Sequence, residues 1–416
     1  MILRILHINC ADKGSTGKII RDISMLAAKQ GYTSYLCAPN IVYSDETIIK
    51  YKTSLPFEQG LYRRLTKLFG LRYGFAPLST WRILRLVKKI NPNVVHLHSI
   101  NCNMVNIYRL VRFLKKRHIP TVVTNHAEFF YTGSCAHAYP CEKFITGCGK
   151  CEQYKSACVS LWDSSHLAWK RMKKAFCGFD EAYVVSVSPY IYKRSTQSPI
   201  FEGISQTTIL NGINSDVFCP QFASREDLGL DDCKLVVCVT SCFDPLDDTC
   251  KGGKYLVDLA RRFINDNVRF LAVGRCVERD IELPENLIRV GSILEQERLA
   301  KYYSAADLCV ITSERETFSM PVAESLSCGT PVVGFYAGGP ESIAIDDYCS
   351  FVDFGDVNAL ESMMRNEWLD RKREIGVESI ATAAVKKYSG DIMSRKYIDI
   401  YKEVISRNED RDNDVS

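Results

Sequence analysis

The chain has 416 residues, 46% hydrophobic and 25% charged, with a net charge of +4. That length exceeds one ordinary core and predicts two domains of about 200 residues each. The composition excludes a disordered or fibrous chain, so small a net charge singles out no partner, and no apolar run approaches the roughly 18 residues of a membrane-spanning helix.

In chain order, MILRILHINC opens with a strand-length apolar run and lacks the long apolar core and cleavage site of a secretory leader. The 18 cysteines lie in both halves, many within apolar runs (Cys37, Cys238, Cys309), and are expected to be reduced thiols of a cytoplasmic protein. The loop DKGSTGKI (12–19) has Asp12 where a Walker phosphate loop needs glycine and Ile19 where it needs Ser or Thr. It is not a Walker motif. Gly14 and Gly17 would still let backbone approach an anion at a helix N-terminus, unless they only make a tight strand-to-helix turn. An amphipathic helix is predicted over 19–31, and strands over 2–8, 33–37, 94–98, 121–124 and 182–188.

Between the last two strands, GSCAHAYPCEKFITGCGKC (133–151) holds Cys135, Cys141, Cys148 and Cys151 in a C-x5-C-x6-C-x2-C pattern. A C-x2-C turn sets two sulfurs on one ion, and zinc favours four thiolates, so a structural zinc is expected, with His137 as a substitute ligand. Free thiols or a disulfide pair are the alternatives. Four thiolates leave no open position for substrate, so no catalytic metal is expected.

Asn-Gly and Pro in ILNGINSDVFCP (209–220) mark a break, and a second strand series follows at 234–240, 268–274, 287–291, 308–312 and 331–335. A helix is predicted over 295–308. The alternation predicts two doubly wound α/β units, with the domain boundary near 200–210 and a cleft at the carboxyl ends of their strands. GDIMSRKYIDIYKEVIS (390–406) reads as a last helix, and the charged end beyond it as disordered.

The most informative stretch is SERETFSMPVAESLSCGTPVVGF (313–335), with Glu316 and Glu324 in an E-x7-E pattern. Ser319 is expected to cap a helix running to Gly329, with Pro321 in its first turn. The amides of Phe318 to Met320 would then face an anion. Two carboxylates beside an anion-binding helix end suit hydroxyl recognition, as in sugar binding. The plain alternative is a capped surface helix with two exposed glutamates.

ERETFSMPVAESLSCGTPVV, with AGGPESI (337–343) behind it, resembles the retaining glycosyltransferases of family 4, which have the GT-B fold. The resemblance extends through ILNGINSDVF, CKGGKYLVDLA (250–260), YYSAADLCVITS (302–313) and the final helix, and the Cys-rich insert looks like that of a bacterial polysaccharide-forming branch. It implies an acceptor-side domain over 1–205 with the insert at 133–158. A nucleotide-sugar domain over 206–388 follows, then a helix over 389–408 crossing back to the first domain and a disordered tail over 409–416. It further implies that Glu324 holds ribose hydroxyls and Glu316 the transferred sugar, with Thr317, Phe318 and Ser319 beside the diphosphate or sugar. His126 would contact the sugar near its reacting carbon, and Lys251 would neutralise the leaving diphosphate. His96 and His98 would line the cleft floor.

Two departures stand out. SCFDPLDDTCKGG (241–253) lacks the arginine that the family carries shortly before the lysine, which points to Arg275 as the replacement cation. Ser319 stands where the family commonly has glycine.

From Gln59 to Asn93 there is no Asp or Glu, but Arg63, Arg64, Lys67, Arg72, Arg82, Arg85, Lys88 and Lys89 alternate with apolar residues and Trp81. Such stretches suit an anionic membrane surface, or are simply the solvated faces of surface helices; no nucleic-acid-binding motif accompanies them. The resemblance implies a UDP- or GDP-linked sugar and a glycan or lipid-linked acceptor as partners, and the basic stretches add the inner leaflet of a plasma membrane, with no nucleic acid. The rival functions are a sugar-nucleotide epimerase, a phosphorylase (whose cofactor-lysine motif is missing), and a non-catalytic GT-B binding or scaffold protein.

Overall fold

The computed structural model describes residues 3–138, 140–155, 160–221, 225, 228, 230, 233–248 and 250–415, side chains of 410–415 excepted. The chain divides into two units, one of residues 1–210 with 391–416 and one of residues 211–390.

The first unit contains β1 (Arg4–Ile8), β2 (Thr33–Ala38), β3 (Ile48–Lys52), β4 (Val94–Leu97), β5 (Thr121–Asn125), β6 (Ala182–Ser186) and β7 (Ser205–Thr208). The second contains β8 (Lys234–Phe243), β9 (Val268–Cys276), β10 (Leu287–Gly291), β11 (Leu308–Ile311), β12 (Val332–Phe335) and β13 (Cys349–Val352). The sheet orders are β3-β2-β1-β4-β5-β6-β7 and β10-β9-β8-β11-β12-β13, with parallel pairing throughout. Central strands such as VVHL of β4 and LCVI of β11 are buried along their whole length, as strands covered by helices on both faces must be. Each order reverses direction once, between β1 and β4 and between β8 and β11. In doubly wound sheets ligands gather at the carboxyl ends of the strands beside such a reversal.

Three strands escaped the sequence patterns: β3, β7 and β13. All three lie at sheet edges. Edge strands are short and half solvated, and SQTT of β7 has no apolar residue to report a buried face.

The last helix, Gly390–Val415, packs Met393, Tyr397, Ile398, Tyr401 and Val404 into the first unit's core beside Ile5, Ile23, Val94 and Val122. Steps of three and four residues put these side chains on one stripe. Full burial of each contributes roughly 2 kcal/mol. The helix continues through Val415, so 409–415 are helical where a disordered tail was expected.

The Cys-rich insert is tied to the first unit by a buried ion pair. Glu128 meets Arg194 at 2.7 Å, accepts from Tyr131 Oη at 2.5 Å, and also accepts from the Ala138 amide. Arg194 in turn donates to the Cys141 carbonyl at 3.0 Å and lies over the Phe144 ring. Each charge depends on the other, because one left alone in such a place costs about 3–5 kcal/mol. Residues 156–158 of the insert lie outside the described residues.

Candidate active site

In the second unit the loops after β8 and β11 interlock. Thr312 Oγ1 donates to the Lys251 carbonyl at 2.9 Å, and the Lys251 amide donates to Asp247 Oδ2 at 2.8 Å. At Gly252, with φ +65°, a Cβ would fall 2.0 Å from the Thr312 carbonyl oxygen, so glycine is required for the loops to pass. Lys251 is thereby brought to Glu316, with Nζ 2.6 Å from Oε1 and the two side chains 24% and 20% exposed. Burial opposes the Lys251 charge, but the Glu316 carboxylate outweighs it and raises the ammonium pKa above its usual value.

The Glu316 backbone is fixed from the other side. Its amide donates to the Ala337 carbonyl and its carbonyl accepts from the Gly339 amide, both at 2.9 Å. The Glu341 carboxylate braces that neighbour by accepting from Ala337 and Gly338 at 3.1 and 2.7 Å. A Cβ at Gly339 would come within 2.6 Å of the Phe318 amide nitrogen, so this approach also needs glycine.

The helix after this loop is Met320–Ser327, two residues shorter than expected. Ser319 makes no side-chain cap. It sits in the left-handed region at φ 78°, ψ 84° and is buried. Its backbone, rather than its hydroxyl, defines the helix start. A residue with a Cβ pays roughly 1–2 kcal/mol there, which explains the family's preference for glycine. Thr317 is half-buried and Phe318 buried. Glu324 is 8% exposed and accepts from Tyr303 Oη at 3.2 Å. Burial first, and then the Glu324 charge, push the Tyr303 phenol well above its usual pKa.

Arg275 is exposed at the end of β9 and donates to Cys242 Sγ at 3.4 Å instead of joining the Lys251–Glu316 pair. Arg315, directly before Glu316, was not among the expected site residues. It is half-buried and paired with Glu314 at 3.0 Å, and its charge and that of Lys251 oppose the burial that raises the Cys250 thiol. Its place directly before Glu316 was the available signal.

In the first unit the helix after β1 starts at Gly14, earlier than the expected residue 19. A Cβ on Gly17 would come within 2.7 Å of the Asp12 carbonyl carbon, so Gly17 serves the turn; Gly14, at φ +75°, faces open space. His126 follows β5 and is half-buried, whereas His7, His96 and His98 are fully buried. Burial lowers His7 and His126 to about 3 and His96 and His98 well below the usual range, so all four are neutral at pH 7.

Cys135, Cys141, Cys148 and Cys151 are all half-buried. Among the described residues no three of these thiols converge within 4.8 Å; the group that does is His7, His96 and His98. Cys141 is held through its backbone, by Arg194 at its carbonyl and Ala138 at its amide.

On the same unit, helices Pro77–Ile90 and Ile107–Lys116 border a groove lined by Trp81, Arg85, Lys88, Arg109, Arg112 and Lys116. Trp81 is 49% exposed, with Arg85 over its ring at 4.8 Å. Arg82 is not part of this free charge, because it binds the fully buried Glu58 at 2.7 Å.

Ser319→Gly is predicted to raise the free energy of unfolding in urea by about 1 kcal/mol, by releasing the left-handed strain. An unchanged or lowered midpoint would show that Ser319 is not strained.

The family described as "Glycosyl transferases group 1" matches residues 234–366, and "Glycosyltransferase Family 4" matches residues 17–217. A D-inositol 3-phosphate glycosyltransferase of Xylanimonas cellulosilytica is 28% identical over 217 residues, covering 47% of this chain and 51% of the relative. The chain thus matches about half the length of that relative. Sucrose-phosphate synthase from Thermosynechococcus elongatus has a TM-score of 0.68 at 17% identity, covering 97% of this chain and 100% of its own. The Anabaena protein HepE in complex with UDP-glucose has a TM-score of 0.63 at 13% identity, with 97% and 100% covered. At such identities these two structures speak for the fold alone. The chain belongs to the family 4, group 1 glycosyltransferases and has their GT-B fold.

Proposed function

We propose that this glycosyltransferase is retaining and moves a sugar from a UDP- or GDP-linked donor to a glycan or lipid-linked glycan in cell-surface polysaccharide synthesis. The observation that carries the reading is the Lys251–Glu316 pair beside the helix that bears Glu324, at the carboxyl ends of β8 and β11. A relative named as a glycosyltransferase and a neighbour solved with UDP-glucose support a nucleotide-sugar donor.

In this reading the bond between the anomeric carbon and the phosphate oxygen breaks, and its electron pair leaves with the nucleoside diphosphate. Lys251, with Arg315 nearby and the amides at the start of helix Met320–Ser327, meets that growing negative charge. Glu316 exchanges its lysine partner for sugar hydroxyls, and Glu324 takes the ribose. The acceptor oxygen bonds to the same face of the anomeric carbon, and its proton passes to the leaving phosphate.

The groove around Trp81 supports a peripheral seat on the cytoplasmic face of an anionic membrane, where a lipid-linked acceptor would be presented. Among the described residues no helix is long and apolar enough to cross a membrane. An interfacial Trp among Arg and Lys side chains suits such a seat, at about 1 kcal/mol per cation.

Calorimetry and slow-hydrolysis assays with UDP-, GDP- and ADP-sugars test the donor. One donor is expected to bind and turn over, Glu324→Ala to abolish binding, and Lys251→Ala to lower kcat by about 10²–10³-fold. Absence of binding to every nucleotide sugar at millimolar concentration would overturn the transferase reading. For the membrane seat, flotation with phosphatidylglycerol vesicles is expected to recover the wild type. Arg85→Glu/Lys88→Glu/Lys89→Glu should weaken binding by at least about a hundredfold. Equal flotation of both proteins would remove the groove from the account.

A further inference from the structure

In the first unit, helix Glu58–Phe69 is turned against the usual pattern. Its buried side chains are Glu58, Tyr62 and Thr66, while Leu61, Leu68 and Phe69, with Phe57 just before it, are exposed. Polar bonds beneath the helix fix that orientation. The fully buried Glu58 accepts from the Leu55 amide at 3.1 Å and from Arg82 at 2.7 Å. Thr66 Oγ1 donates to Asn103 Oδ1 at 3.0 Å. Rolling the helix to hide its leucines would strip these groups of their partners.

Steps of four and seven residues put Phe57, Leu61 and Leu68 on one stripe, and the exposed Arg63, Arg64 and Lys67 lie beside it. A second segment meets the end of the helix. The Leu161 amide donates to the Lys67 carbonyl at 2.9 Å, and Ser164 Oγ donates to that of Phe69 at 3.0 Å. A Cβ on Gly70, at φ +67°, would fall 2.3 Å from the Trp162 carbonyl oxygen, so the two segments touch through bare backbone. Leu161 and Trp162, 54% and 66% exposed, thereby join Leu68 and Phe69 at this end. Apolar exposure gathered in this way marks an interaction surface.

Charge selects the occupant. Glu58 is the helix's one acidic residue and is buried, so the exposed surface of the helix is apolar and cationic, with no carboxylate. A second copy would set the same cations against one another. An anionic lipid surface answers both parts. Acyl chains take the stripe, phosphates meet Arg63, Arg64 and Lys67, and Trp162 suits the depth at which tryptophan gathers.

We propose that helix Glu58–Phe69, with Leu161 and Trp162, enters the acyl boundary of an anionic bilayer. This rests on the membrane seat proposed above and deepens it: the Trp81 groove supplies charge, and this helix supplies the apolar hold.

Flotation of the full-length chain with phosphatidylglycerol vesicles in about 0.5 M salt, which screens the cations, isolates the apolar part. The wild type is expected to stay bound. Leu61→Ser/Leu68→Ser should bind about a hundredfold more weakly, roughly tenfold for each leucine. A wild type released by salt, or a double variant that binds as well, overturns the proposal. Vesicles with brominated acyl chains give a second reading on the intact fold. Trp169 and Trp368 are buried, so quenching reports on Trp81 and Trp162, and it should fall in Trp162→Phe. A Trp162→Phe protein quenched like the wild type overturns insertion and leaves the groove's seat standing. A wild type that fails to float even at low salt removes the seat as well. Sedimentation tests the rival occupant: a wild-type dimer that Leu61→Ser/Leu68→Ser separates would make the stripe a contact between copies and overturn the proposal.

Discussion

Parallel pairing is the constraint on which everything else here depends. When all strands of a sheet point one way, their carboxyl ends share one edge, and the loops that leave them are the segments that can converge on a ligand. The candidate groups follow β1, β4 and β5 in the first unit and β8, β9 and β11 in the second. Within each unit a hydrogen-bonded pair flanks the reversal in strand order: His7 with His98 at β1 and β4, and Lys251 with Glu316 at β8 and β11. The last helix belongs to the same logic, because Tyr397 and Tyr401 reach under β4 and β5 to bond Thr124 and His96.

The Lys251–Glu316 pair is a weak source of stability and a useful chemical device for the same reason. Partly exposed pairs contribute about 0–1 kcal/mol, so separating this one costs little. In the proposed function, an arriving diphosphate would offer Lys251 more negative charge than one carboxylate does, and the freed Glu316 would become an acceptor for hydroxyls. The pair keeps both groups neutral as a unit until the ligand separates them. The rigidity comes instead from the backbone: Thr312 and Asp247 clamp Lys251, and Ala337 and Gly339 clamp Glu316. Ser319 holds a strained turn at the helix start, the kind of local cost that persists where surrounding structure over-determines it.

Much of this was legible in the sequence. Ten strands and the E-x7-E helix announced themselves because buried parallel strands are continuous apolar runs and a proline marks a first helical turn. What was missed has physical reasons. β3, β7 and β13 are edge strands with weak patterns. Ser319 looks like a cap because serine usually is one; only the backbone angle shows otherwise. Arg275 and Arg315 stand 24 and 64 residues from Lys251, and spacing along the chain does not tell which of them shares its surroundings. Arg82, counted among the free cations, has a partner at Glu58, just outside the acid-free window.

Hydrogen exchange measured with and without a nucleoside diphosphate tests the central claim most directly, that the diphosphate is held between the Lys251 loop and the start of helix Met320–Ser327. Slowed exchange at 250–255 and 316–322, with the basic groove of 77–116 unchanged, is the predicted result. Protection confined to the first unit, with those two segments unaltered, would contradict it.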